Sequence, residues 1–193
     1  MVDCSTNLTE DHMSTTTTAL PTGLTTGTWA VDGSHTEAAF TVRHAGISKV
    51  RGGTVAVTDG AITVGDDLAS TSVSVTLDPS TVSTGDANRD GHLKSGDFFD
   101  VEKFGQWTFV STEVREAGSE YVIAGDLTIH GVTQPVELAT EFNGTAVDPF
   151  GNTRAGFEAS VTISRKDFGL TWNAALEAGG VLVSDKVVIA LDV

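Results

Sequence analysis

The chain has 193 residues, with 11 Lys and Arg against 26 Asp and Glu, giving a formal net charge of −15 and a pI near 4.4. A surface this acidic repels phosphate backbones and anionic lipid headgroups, which excludes a nucleic-acid binder and a polybasic membrane anchor. Hydrophobic residues make up 39% of the chain, more than an acidic disordered protein carries, and the length suits one domain with a tail.

The chain contains 23 Val and 28 Thr against 12 Leu, with 21 Gly and 4 Pro. β-Branched residues pack well on a pleated surface and lose side-chain freedom in helices, so the composition predicts an all-β domain. One cysteine, Cys4, rules out an internal disulfide and any cysteine-based zinc site.

Residues 1–26 are rich in Thr and Ser and hold neither Lys nor Arg, so they are expected to form a disordered leader. They lack the basic and apolar regions of a secretion signal, and no stretch is long and apolar enough to span a membrane. A cytoplasmic location without a stable membrane anchor follows as the expectation, with Met1 or Met13 as the start. From Gly27 to Val193 the pattern changes to short alternating segments. Phe40, Val42 and His44 share one face. Val73, Val75 and Leu77 alternate with Ser74 and Thr76, and Tyr121, Ile123, Leu127 and Ile129 line up across Gly125. Phe157, Ala159, Val161 and Ile163 repeat the theme, and Val187, Ile189 and Leu191 finish it. A period of two marks half-buried strands. Turn signals stand at Asp59-Gly60, Glu116 to Ser119, Asn143-Gly144 and Pro149 to Gly151. The spacing suits an antiparallel meander, and closing it into a barrel removes the exposed edges.

Two stretches interrupt the alternation. Residues 84–104 mix charges with aromatics and predict two short helical turns, the second capped by Asp97. Lys166 to Gly180 carries Phe168 and Trp172. Insertions of this kind are where a β scaffold places its function. Within the first, Asp86-x-Asn88-x-Asp90-Gly91 with Asp97 follows the calcium-loop spacing, leaving a calcium-binding loop at 86–97 as one alternative. Against it stand the missing preceding helix, since Pro79 to Ser83 is β-branched, and the short Asp where the geometry uses a bidentate Glu. The histidines at 12, 35, 44, 92 and 130 form no i,i+2 or i,i+4 pair, so no metal site is expected. No nucleophile elbow or phosphate-binding loop is present, and no cofactor is expected.

From Ala38 to Thr58 there is no acidic residue, while Arg43, His44, Lys49 and Arg51 fall inside that window. Arg89, His92 and Lys94 form a second basic group. His44, Arg89 and His92 are therefore candidates for contacting a polar headgroup at a locally positive rim.

Several runs resemble the YceI-like family of polyisoprenoid-binding proteins. They are Trp29 to His35, Phe40 to Gly46, Arg51-Gly52, Arg89 to Asp100, Phe109 to Thr112, Gly125 to Val136, Ser164 to Leu170 and Ser184-Asp185, all in order along Gly27 to Val193. One departure is Phe104 to Trp107, where the family usually has Tyr-Pro. The resemblance implies an eight-stranded antiparallel lipocalin-like β-barrel holding a polyisoprenoid, isoprenoid quinone or fatty amide. The Arg89 to Asp100 block then belongs to the family pattern without needing calcium.

The apolar faces provide the candidate lining: Phe40, Val42, Val55, Val73, Val75, Phe109, Ile123, Leu127, Phe157 and Val161. Phe98, Phe99, Phe168 and Trp172 are expected to flank the mouth. The function expected is non-catalytic binding, carriage or sequestration of a small-molecule lipid, with a homodimer left open. The alternative is an enzyme acting on such a lipid through His44, Arg89, Asp90 and His92.

Overall fold

The computed structural model describes residues 19–44, 48–177 and 180–193. Among the described residues, nine antiparallel strands form one continuous sheet: β1 (Gly27–Ala30), β2 (Glu37–His44), β3 (Ser48–Val64), β4 (Ser72–Ser83), β5 (Trp107–Ala117), β6 (Glu120–Ile129), β7 (Val132–Val147), β8 (Thr153–Ser164) and β9 (Val183–Asp192). β2 pairs with both β3 and β9, and the additional β3–β4 pairing closes the order β3-β2-β9-β8-β7-β6-β5-β4 into a ring. The barrel therefore has eight staves. The ninth strand arises because β1 and β2 both pair with the long β3: Ala30 lies opposite Ala61, and Ala38 lies opposite Val55.

Asp59-Gly60 and Asn143-Gly144, both expected to be turns, lie inside β3 and β7. Each marks a shift of register, between Val57 and Asp59 and between Phe142 and Gly144. Bulges accentuate strand twist, which a closed barrel of tilted strands requires. Gly144 has φ 109, open to glycine and costly for other residues. The signals at Gly118 and around Pro149 are true turns, joining β5 to β6 and β7 to β8.

One helix, α1 (Ala87–Lys94), bridges β4 and β5. Its N-cap is Asp86, whose carboxylate accepts from the backbone N–H groups of Asn88 and Arg89 at 3.0 Å each. This corrects the expected pair of helical turns capped by Asp97: Asp97 Oδ2 instead meets His92 Nε2 at 3.0 Å. The same geometry argues against a calcium loop. Residues 87–94 are helical, and Asp90 Oδ1 accepts from the backbone and hydroxyl of Thr84. Among the described residues, no group of three His, Cys, Asp or Glu side chains is placed to hold a metal ion.

The α1 end of the barrel also receives the 3₁₀ turn Arg165–Phe168 and the segment that follows it. The opposite end is tied by charge. Arg154 donates to Asp32 Oδ2 at 2.9 Å and to Asp148 Oδ2 at 3.0 Å, linking the turn after β1 to the β7–β8 turn. The Ser34 hydroxyl is the largest influence holding the Asp32 carboxyl well below the usual carboxylate range, followed by His35 and the Ser34 backbone. Asn152, through its side chain and backbone, leads the groups that lower Asp148 to about 2.

Candidate functional site

The inward faces of the strands enclose an apolar cavity of about 580 Å³, within the range of small-molecule binding sites. It runs the length of the barrel, from Pro21 and Leu24 at the β1 end to His92, Phe98 and Trp172 at the α1 end. Pro21 and Leu24 belong to the segment read as leader, and Leu24 is buried. The rest of that segment, residues 1–18, lies outside the described residues.

Alternation along each strand builds the lining. On β8, Phe157, Val161 and Ile163 face the cavity, and on β9 Val187, Ile189 and Leu191 do so while Val188 is left exposed. Gly125 interrupts the β6 series because its neighbour needs the space: a Cβ there would lie 2.5 Å from the Val110 carbonyl oxygen and 2.6 Å from the Phe109 ring. With glycine in place, Phe109 stays buried at the cavity wall.

Every apolar residue singled out from the sequence lines this cavity except Phe168. Phe168 is a correction to the expected mouth. It is 1% exposed and borders a cleft in the outer barrel wall with Gln134, Pro135 and Ile163. Gln134 Nε2 donates to the Asp167 carbonyl at 3.0 Å, fastening the 3₁₀ turn against β7, and Phe168 is buried in the core cluster rather than lining the cavity. The mouth is formed by other rings. Phe98 and Trp172 lie 5.0 Å apart, Phe99 packs edge-on against Trp107 at 4.7 Å, and Phe40 meets Phe99 at 6.4 Å.

His44, Arg89 and His92 also line the cavity at the α1 end, but two of them are occupied by protein partners. Arg89 Nε donates to Thr84 Oγ1 at 2.8 Å and Nη2 to the Thr84 carbonyl at 2.9 Å. His92 faces Asp97. The side chains of Lys49 and Arg51, part of the basic window, lie outside the described residues.

Sequence reasoning missed two polar residues on the wall. Arg165 is 3% exposed and lines the cavity; its Nε donates to the Ser184 carbonyl at 3.0 Å, and its Nη1 to the carbonyls of Leu170 and Trp172. Burial lowers its pKa, with Asp185 opposing the shift. Trp107, the first residue of β5, is 9% exposed and also lines the cavity. An outward or an inward arginine after a strand reads the same in sequence, so only the fold reveals which one this is.

Comparison with known proteins gives a consistent result. The family model described as YceI-like domain matches residues 29–193. A UPF0312 protein of Photorhabdus laumondii is 43% identical over 139 residues, covering 72% of each chain. Among solved structures, the YceI protein of Campylobacter jejuni superposes with a TM-score of 0.61 at 27% identity, covering 86% of this chain and 95% of that one. A polyisoprenoid binding domain from Saccharophagus degradans superposes with a TM-score of 0.57 at 14% identity, covering 87% and 97% respectively, a likeness of fold.

Proposed function

Because the chain belongs to the YceI-like domain family, we propose that its barrel binds one long apolar lipid of isoprenoid type and carries or sequesters it without chemical change. The observation that carries this reading is the apolar cavity of about 580 Å³ inside the barrel, lined by residues from both of its ends. The Saccharophagus degradans domain, similar in fold, is described as polyisoprenoid binding, which supports the same ligand class.

Magnitudes identify what holds the ligand. Each buried methylene contributes about 0.8 kcal/mol, so ten chain carbons supply about 8 kcal/mol, equivalent to roughly micromolar binding before ordering costs. An exposed charged contact contributes about 1 kcal/mol or less. Tail burial therefore sets affinity, and polar groups set selectivity. Binding is favoured over catalysis because three of the four candidate acid–base groups, Arg89, Asp90 and His92, are bonded to Thr84 and Asp97, with only His44 of the four left as a cavity-lining candidate.

The test is a series of prenyl alcohols of increasing length, titrated into delipidated protein and recovered afterwards. Affinity rises with each isoprene unit until the cavity is filled, and the alcohols are recovered unchanged. Length-independent affinity refutes tail burial, and a recovered product of altered mass refutes a carrier.

A further inference from the structure

An apolar cavity normally leaves no hydrogen-bond donor of its wall unpaired, because each orphan costs about 1–3 kcal/mol. Here two buried side-chain atoms have no hydrogen-bond partner among the described residues: Arg165 Nη2 and Trp107 Nε1. Both residues line the same cavity, and both are at least nine-tenths buried. They also lie at the same end. Trp107 begins β5 and Arg165 directly follows β8, and these strand termini share the α1 end of the barrel.

The other end is different. There the buried Thr71 hydroxyl donates to the Asp67 carbonyl at 2.8 Å, and the buried Thr140 hydroxyl donates to the Leu138 carbonyl at 3.2 Å. The cavity thus has a polarity its apolar lining conceals, with satisfied polar groups towards β1 and unsatisfied donors towards α1.

Both atoms are donors only, since neither a guanidinium nor an indole N–H can accept. The missing partner is therefore an acceptor. Arg165 is fixed by its three bonds to main-chain carbonyls, so its remaining nitrogen is held in place rather than free to find solvent. Asp185 lies close enough to offset part of its charge, and is itself held by the Ser164 hydroxyl at 3.0 Å. A partly neutralised cation in an apolar wall suits a neutral oxygen acceptor better than a fully charged headgroup.

We infer that Arg165 and Trp107 form a donor subsite that receives a carbonyl-type oxygen at the head of the bound lipid, placing the head at the α1 end and the tail towards Pro21 and Leu24. The inference rests on the lipid-binding reading above and specifies the orientation and head chemistry of the ligand.

The experiment compares farnesylacetone with the hydrocarbon in which its carbonyl oxygen is replaced by a methylene group, each titrated into delipidated protein. A hydrogen bond from a charged donor supports an expectation of roughly tenfold tighter binding for the ketone. The Trp107 indole N–H resonance should shift with the ketone and stay near its free position with the hydrocarbon. Arg165→Gln should bring the two affinities together. If that variant does not fold, the wild-type affinity ratio and the indole shift still decide the matter. Equal affinities with no selective indole shift overturn the subsite while leaving the lipid barrel standing. Binding of neither compound overturns both.

Discussion

His92 on α1 and Trp172 in the segment after the 3₁₀ turn meet edge-to-face, with ring centroids 4.7 Å apart and planes at 90°. Phe98 touches both rings, at 5.1 Å from His92 and 5.0 Å from Trp172. The two insertions that break the strand pattern therefore close on each other across the α1 end of the cavity. The rings of both insertions also pack into or against the buried core, so the same residues cover the cavity and stabilise the fold.

Trp172→Ala removes this contact. Aromatic pairs contribute about 0.5–1.5 kcal/mol beyond area burial, and Trp172 also packs against the core, so the variant should lose stability while the mouth loses its cover. Under conditions where the variant remains folded, release of bound lipid to acceptor vesicles should accelerate several-fold. An unchanged release rate would show that lipid leaves by another route.

Phe109→Asp puts a carboxylate into the cavity wall beside Gly125. Burying a charge without a partner is unfavourable, and loss of the aromatic packing adds about 3–5 kcal/mol. Lipid should be lost on purification. Phe40, only half-buried, gives a milder test of the same wall, and Phe40→Asp should lose lipid while retaining the β-sheet circular dichroism of the parent. Arg89→Ala should weaken retention only slightly, as its guanidinium is already spent on Thr84.

Gly125→Ala should destabilise the fold by about 1–3 kcal/mol, read from urea denaturation, because the added methyl group has to displace either a carbonyl or the Phe109 ring. A neutral effect would mean that β5 and β6 can separate locally without loss, against the packing described here.

The Asp148 carboxyl, lowered from 3.8 to about 2 chiefly by Asn152, gives a pH signature. A depressed folded-state pKa stabilises above the unfolded value and loses that contribution as pH falls through the folded value. The stability gap between the wild type and Asp148→Asn should therefore be constant above about pH 5 and shrink between pH 3.8 and 2. Denaturation curves at pH 7, 4 and 2.5 check this, and a constant gap would remove the linkage.

The barrel was legible because its signal is local. Alternation in segments such as Phe157 to Ile163 requires only that one face be apolar, and closure follows from there being nowhere else to put the edges. The Asx-Gly pairs were harder. At Asn143-Gly144 the sequence signals a glycine suited to positive φ, which a hairpin turn and a bulge both use, and the long strand β7 runs through it. Phe168 was misplaced because where a 3₁₀ turn packs depends on contacts such as that with Gln134, more than thirty residues away in sequence. Arg165 shows the limit most clearly. In sequence it is one more cation in an acidic chain, and only its three carbonyl partners identify it as a buried wall residue.

The net charge of −15 does not describe the proposed ligand site, an apolar interior with two unpaired buried donors at one end. The most direct test of that picture is native mass spectrometry of the freshly purified protein, followed by release and mass analysis of what it carries. The proposed function predicts one lipid per chain, long, apolar, bearing an oxygen at one end, and unchanged after incubation. A protein that emerges empty and takes up no prenyl lipid when offered it would contradict the account.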